Sequence, residues 1–366
     1  PVTLWSDSDN AFQGGILMAS GSSIVSNGGA VTLGGGNGAT AADGYAKATA
    51  TITESTGGAY SGIRLVGTIS SGAGNILLRG QDSASVGTTS HNSGIETLKT
   101  SFIKSTTGSI TLDGALASGV TSTGNHIGVL LGWGGTATTG TNVISSDSGA
   151  ISITGSSASL ANSKGWGLWL AGSDVTSNSG NVSLISGGNA STATELNFAV
   201  GTVSSTSGSV SLSTSTTPGT ATFASGVAMS SDNSVTLAVN DPTFSGLSLN
   251  GSGTKVLESP SGATSFASAI STTNITISST TTSLRIGKLG NTQAITIAKV
   301  QTITGPVTLN AASTTISSAL TATNSALTIN TDAIVISAAL SSGTGVTTIS
   351  PATATRSEER RVGKEC

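Results

Sequence analysis

Short apolar runs alternating with Ser, Thr and Asn recur along the chain, as in Val307-Thr308-Leu309 and Leu327-Thr328-Ile329. A period of two puts both apolar side chains on one face of a strand. From Val300 to Ser350 the runs return every twenty residues: Val300, Leu320 and Leu340 fall in step, as do Val307 and Leu327, and Leu309, Ile329 and Ile349. The same step joins Ile275 to Ile295, Ile277 to Ile297, and Ile316 to Ile336. A constant period of this length predicts one coil of a β-solenoid per repeat. One coil buries too few side chains to offset the entropy of ordering it, so coils must stack and cover each other's apolar interior. Asn310 and Asn330, one period apart, are then expected to form a ladder.

Before residue 250 a second pattern recurs, Ser-x-x-Gly-x-(Val/Ile)-x-(Leu/Ile). It occupies Ser26–Leu33, Ser71–Leu78, Ser105–Leu112, Ser146–Ile153, Ser177–Leu184 and Ser205–Leu212, while Asn233 replaces the glycine in Ser230–Leu237. The glycine is expected to adopt positive φ and turn the chain into the next strand. Variable intervals between these motifs suit coils carrying inserted outer loops, since long surface insertions cost little loop entropy. Other apolar segments, among them Gly62–Val66, Gly94–Leu98, Gly128–Trp133 and Gly167–Leu170, supply a further strand per coil. No window holds a 3.6-residue period over a helix length. The fold class predicted is all-β, a single-stranded parallel β-helix (β-solenoid), right-handed by the general handedness of parallel crossovers. A sandwich or propeller of hairpins competes, but hairpins do not require a constant step. Long coils with loops are expected over 1–267 and regular coils of about twenty residues over 268–355, with about 13–16 coils in all.

Composition fits an ordered β protein: charged residues are 8% and mean hydropathy is +0.20, whereas disordered chains combine low hydrophobicity with high charge. The last eleven residues, 356–366, depart from this with seven charges, and they resemble the translation of a sequencing-library adapter. Fold reasoning therefore sets them aside as a non-native tail. Without them the chain has no cysteine, hence no disulfide, thiol nucleophile or thiolate metal site. Ten basic and fourteen acidic residues remain, net −4, which offers no basic footprint for nucleic acid. No apolar run reaches the length of a membrane-spanning helix. The chain opens on Pro1 and is expected to be an internal fragment of a longer protein.

The opening Val2-Thr3-Leu4-Trp5-Ser6-Asp7-Ser8-Asp9, the Ser26-Asn27-Gly28-Gly29-Ala30-Val31-Thr32-Leu33-Gly34-Gly35-Gly36 stretch and Gly62–Gly80 are similar to repeats of filamentous-haemagglutinin-like bacterial exoproteins. The likeness spans most of residues 1–350. It implies a β-helical adhesin passenger, exported through an outer-membrane secretion pore by a two-partner or autotransporter route, and displayed outside the cell. It further implies a host or cell-surface ligand. Neither the family's amino-terminal secretion domain nor a membrane barrel is found.

The residues offer little catalytic chemistry. His91 and His126 fall in Gly/Ser/Thr-rich stretches and are expected to be solvated loop histidines, without a metal partner at useful spacing. Asp7, Asp9 and Asn10 read as a polar turn rather than a calcium loop, and Gly34–Gly44 lacks the Lys and Ser/Thr of a phosphate loop. No cofactor site, metal site or catalytic residue is expected, and the chain reads as non-enzymatic. Gly165-Trp166-Gly167-Leu168-Trp169-Leu170 places Trp166, Leu168 and Leu170 on one face and Trp169 on the other. Trp169, with Trp133, is the candidate ligand contact, suited to stacking on a sugar ring; the competing reading is a tryptophan filling a wide corner of the core. The function expected is a structural rod presenting loops, chiefly 113–143 and 157–175, for attachment to glycans or surfaces. A polysaccharide-active β-helix lyase or glycosidase is the alternative, needing carboxylates gathered on one outer face. An ice- or surface-binding solenoid is third, since Thr-x-Thr pairs occur at 49/51, 302/304 and 321/323 without a fixed phase.

Overall fold

The structure, a computed structural model, describes residues 1–6, 14–36, 44–48, 60–82, 91–117, 125–134, 142–157, 164–188, 194–215 and 219–353. Asp7, Asp9, Asn10, the greater part (37–43) of the Gly34–Gly44 stretch, and residues 354–366 lie outside these residues, as do parts of both expected presenting loops. Among the described residues there is no helix, and every ladder between named strands is parallel. The chain is a parallel β-helix with three faces.

The first face belongs to a 16-stranded sheet running from Val2–Ser6 through Ile76–Gln81, Ile151–Ser157 and Thr254–Glu258 to Thr347–Ser350, which in the last coils also takes in the second-face strands Ile270–Ser271 and Ile295–Ile297 through the second half of Val307–Ile316. The second is an 8-stranded sheet from Ile16–Met18 to Asp241–Phe244, and the third a 9-stranded sheet from Ser23–Val25 to Ile275–Ile277. A 3-stranded sheet of Gln301–Ile303, Leu320–Ala322 and Leu340–Ser341 continues the third face, where Gln301 Nε2 donates to Ile275 O. Each full coil visits the faces in the order first, second, third, and up to Ser205–Leu212 returns through the Ser-x-x-Gly turn. The first face carries thirteen successive layers from Val2–Ser6 to Thr347–Ser350, the low end of the expected coil number, for a stack of ~60 Å at ~4.8 Å per layer.

In-register pairing makes the core a set of aliphatic columns. Leu4, Leu33 and Leu78 stack in line, and the column ends in Leu309, Ile329 and Ile349. The step between paired residues falls from 45 (Val31 to Ile76) to 28 (Val182 to Val210) and 20 (Val307 to Leu327). The twenty-residue register holds for Val307/Leu327, Ile316/Ile336 and Leu320/Leu340. Three other alignments are corrected. Gln301, not Val300, pairs with Leu320, and Val300 is 64% exposed. Ile275 pairs with Leu247 on the third face, and Ile295 pairs with Ile270 on another. Ile277 likewise pairs with Leu249, and Ile297 with Ile316. The coils there are not twenty residues long, so equal sequence spacing joins residues of different faces. The asparagine ladder forms as expected: Asn330 Nδ2 donates to Asn310 Oδ1 at 2.7 Å, and Ser350 Oγ to Asn330 Oδ1 at 2.6 Å.

The Ser-x-x-Gly motif works differently from the expectation. None of Gly74, Gly108, Gly149, Gly180 and Gly208 has positive φ. Each instead lies directly against the carbonyl oxygen of the glycine one coil earlier, inside the distance any Cβ could tolerate. The requirement is close approach of backbones, not left-handed conformation. The serines tie the column together. Ser146 Oγ accepts from Gly149 N at 2.9 Å and donates to Gly108 O at 3.2 Å; Ser177 repeats this with Gly180 and Gly149, and Ser205 with Gly208 and Gly180. In the shorter following turn Ser231, not Ser230, takes the role, donating to Gly208 O at 2.7 Å. Each buried hydroxyl is thus satisfied on both sides, worth about 1 kcal/mol per bond.

Candidate functional site

The second face carries the site. Strands His91–Leu98, Asn125–Trp133 and Lys164–Leu170 are neighbours there, with His91 opposite Asn125 and Ile127 opposite Trp166. Their glycines, Gly94, Gly128 and Gly167, abut Gly80, Gly114 and Gly155 of the first face so closely that no Cβ fits between. Backbone touches backbone along this line and closes one corner of the core. Residues before it on the second-face strands lie outside the aliphatic columns.

Four aromatic rings gather on these strands. His91 and Trp133 meet edge-to-face with centroids 4.2 Å apart, Trp133 and Trp169 at 5.3 Å, His91 and Trp169 at 5.5 Å, and Trp166 and Trp169 at 4.9 Å. His91 and Trp133 stand at opposite ends of paired strands that would separate them by ~23 Å if straight. The strands therefore bend between them, and the glycine line is where a chain without Cβ can do so. Trp133 is further re-aimed by a register shift beside Gly132, whose φ of 76° favours glycine. All four rings are half-buried, and none belongs to the aliphatic core.

Trp133 and Trp169, the two residues singled out from sequence, are thus brought together. The expected opposition of Trp166 and Trp169 is corrected: they touch, because the strand turns at Gly167. Leu168 and Leu170 hold the aliphatic core positions, and Trp169 packs outside those columns on His91, Trp133 and Trp166, with its Nε1 buried and unpaired. Burial lowers the His91 pKa and favours the neutral ring. Asn125 Nδ2, 3.2 Å from His91 Nδ1, then donates to it and leaves the ring proton on Nε2.

His126 corrects the other histidine expectation. It is no solvated loop residue but fully buried in its strand, with Nδ1 2.6 Å from Asp82 Oδ2 and Nε2 3.4 Å from Asn92 Nδ2. Burial pushes the Asp82 carboxyl up; hydrogen bonds from His126 and Ala117 N oppose it. A second buried polar group stands alongside: Arg64 Nε lies 3.5 Å from Glu96 Oε2, which also accepts from Ser61 Oγ at 2.9 Å. Burial raises the Glu96 pKa, with Arg64 and Ser61 opposing. Both pairs are closed to solvent and serve as internal supports beside the rings. Sequence gave no sign of them, because Asp82 and His126 are 44 positions apart and meet only through the stacking.

The nearest arrangement to acid–base chemistry is on the outside of the first face. Tyr45 donates to Asp113 Oδ2 at 2.9 Å, and Arg79 Nε lies 3.8 Å from the same oxygen. Burial and Asp113 push the Tyr45 pKa up to about 12, so the phenol holds its proton at neutral pH and is a poor base. Among the described residues no three His, Cys, Asp or Glu side chains converge as metal ligands would. No helix there is long and apolar enough to cross a membrane. No protein-family model matches the chain, and no curated protein or solved structure matches it significantly.

Proposed function

We propose that the chain is a rod segment of a secreted or surface-displayed bacterial adhesin, and that the His91/Trp133/Trp166/Trp169 cluster is its contact for glycans of a host or cell surface. The observation that carries this reading is the cluster itself. Three tryptophans and a neutral histidine are held half-exposed outside the core of a chain with only 3% aromatic residues. Packing alone does not call for indoles there, since the core columns close without them. Aromatic faces with a neutral imidazole and an amide beside them suit stacking on a sugar ring, with hydrogen bonds to its hydroxyls. The rod acts mechanically, through rigid display of weak, repeated contacts, and the reading assigns it no reaction, no cofactor and no nucleic-acid partner. Its resemblance to filamentous-haemagglutinin-like proteins supports export through an outer-membrane pore. Residues 356–366 we read as library sequence, which the flanking nucleotides would settle.

The test is a glycan-array and cell-adhesion comparison of the unaltered chain with Trp133→Ala and Trp169→Ala. Loss of a stacked ring should weaken binding roughly tenfold, about 1.4 kcal/mol. Attachment that is undiminished in both variants would reduce the cluster to packing. No attachment by the unaltered chain would leave the rod as a spacer.

A further inference from the structure

The second face is interrupted inside the rod. Asp241–Phe244 and Ile270–Ser271 are its strands in successive coils, yet no ladder joins them. The same coils do pair on both flanking faces, Ala238 with Glu258 on the first and Leu247 with Ile275 on the third. The ladder fails at a definable atom. Ala267 N donates to Asn240 O at 2.9 Å, which sets a parallel register whose next bond runs from the N–H of residue 242 to Ala267 O. Residue 242 is proline and has no N–H. Past it the strands part. They meet again where Asn274 Nδ2 donates to Phe244 O at 2.8 Å and Leu247 N donates to Asn274 O at 2.9 Å. From Ala267 to Ile275 the later chain uses two more residues than the earlier one does from Asp241 to Leu247, and the surplus bows it outward.

Between these two pins lies a cavity of about 380 Å³, open to the outside and within the ~300–1,000 Å³ of small-molecule sites. Phe244 gives it an aromatic wall. Phe198, Phe223 and Phe244 form one column; the first two are fully buried, whereas Phe244, stacked on Phe223 at 5.2 Å, is half-exposed. Pro242 and Ala269 add apolar surface, and the polar side chains are all neutral. Among them Ser271 and Thr273 hold their hydroxyl oxygens 2.8 Å apart. The backbone contributes as well. The alternation that turns the carbonyls of Asn240 and Phe244 toward the next coil turns Pro242 C=O and Phe244 N–H into the cavity. On the opposite edge Ile270 N and Thr272 N donate onward to Ala294 O and Thr296 O, so the amides of Ala269 and Ser271 face back into it.

We propose that this cavity is a binding site for one neutral pyranose unit, its apolar ring face against Phe244 and Pro242 and its hydroxyls on the unpaired backbone groups, Ser271 and Thr273. A lining without a charged side chain offers no counter-charge to an anion or a cation. A peptide strand does not fit, because an added strand needs ~4.8 Å on each side of itself. The Asn240–Ala267 and Leu247–Asn274 bonds hold the coils one spacing apart at both ends of the opening. A sugar ring is compact enough to enter between them, and it can satisfy donors and acceptors on both edges at once. Thr243 lies in the same outward column as Trp169, through Asn197 and Thr222, three layers and ~14 Å away. The cavity is therefore separate from the aromatic cluster, and the proposal does not rest on the adhesin reading.

The experiment titrates the full chain, labelled at its alanine methyl groups, with the methyl glycosides of glucose, galactose, mannose and N-acetylglucosamine. It follows the Ala269 methyl signal by NMR, assigned by its absence in Ala269→Ser. That signal should shift saturably with at least one of the sugars. Phe244→Leu keeps an apolar side chain in the column but removes the ring, and the midpoint of the shift should rise about tenfold. Ser271→Ala combined with Thr273→Ala, at exposed positions where folding is not at stake, should raise it as well. Circular dichroism checks that each variant is folded. An Ala269 signal unmoved by all four sugars, or an unchanged midpoint in the folded variants, would overturn the site. The rings of the aromatic cluster do not report through Ala269, so this outcome is independent of the glycan-array comparison.

Discussion

Replacing Lys255 by Met should stabilise the rod near neutral pH, and the gain should vanish as the solution is made alkaline. Lys255 occupies a core column between Val235 and Leu284, where its side chain is fully buried and its Nζ donates to Ser231 O at 3.0 Å. No serine of the next coil reaches that carbonyl, because Gly251 stacks there instead. The ammonium therefore ends the serine column. Burial lowers its pKa to about 8 from 10.5, with Asp232 opposing. Because the folded pKa is the lower one, the folded state is penalised for holding the proton. The penalty is full below pH 8 and is relieved as pH rises from about 8 to 10.5. The difference of 2.5 pH units corresponds to about 3 kcal/mol. A cavity of about 10 Å³ beside Lys255, Leu249, Ile275 and Leu284 is lined by apolar surface and offers a water no polar partners, while solvent screening brings the expected penalty toward about 2 kcal/mol. Methionine keeps the volume but leaves Ser231 O without its donor, a cost of about 1 kcal/mol. The net expectation is a variant about 1–2 kcal/mol more stable near neutrality and about 1 kcal/mol less stable above the window. Urea unfolding followed by circular dichroism at several pH values measures both. A variant less stable than the parent at neutral pH, or a gap between them that is constant across the window, would refute the reasoning.

Gly149→Ala should part neighbouring coils, because its Cβ would run into Gly108 O, and should cost about 2–4 kcal/mol in the same unfolding assay. Ser146→Ala, which removes a satisfied link without adding bulk, should cost about 1–2 kcal/mol. Asn330→Ala breaks the ladder to Asn310 and Ser350; amide hydrogen exchange should accelerate in strands Val307–Ile316, Leu327–Ile336 and Thr347–Ser350 while distant coils are unchanged. His126→Ala leaves the Asp82 carboxyl buried beside fewer donors and should cost about 3 kcal/mol, shown by a lower unfolding midpoint and weaker tryptophan ring signals in near-ultraviolet circular dichroism.

The twenty-residue period and the Val-x-Leu alternation sufficed to fix the parallel β-helix, the first-face strands and the Asn310–Asn330 ladder, because each rests on local spacing. The third face was much less legible. Its early strands carry a single core residue between outward-facing neighbours, Ile69 between Thr68 and Ser70, Ile103 between Phe102 and Lys104, and Val175 between Asp174 and Thr176, too little for an alternation to show. The equal spacing of Ile275 and Ile295 was misleading for a related reason: a period identifies a face only where coil length is constant. The aromatic site was half visible, since Trp133 and Trp169 stand out in a chain poor in aromatics, yet nothing local announced that His91 would join them. Only the stacking decided that, along with the Asp82–His126 pair, the burial of Lys255 and the steric need for glycine beside the serine column. A sequence encodes which residues alternate. It does not encode what lies one layer above or below, and in this fold nearly every interaction that specifies a residue comes from the adjacent layer.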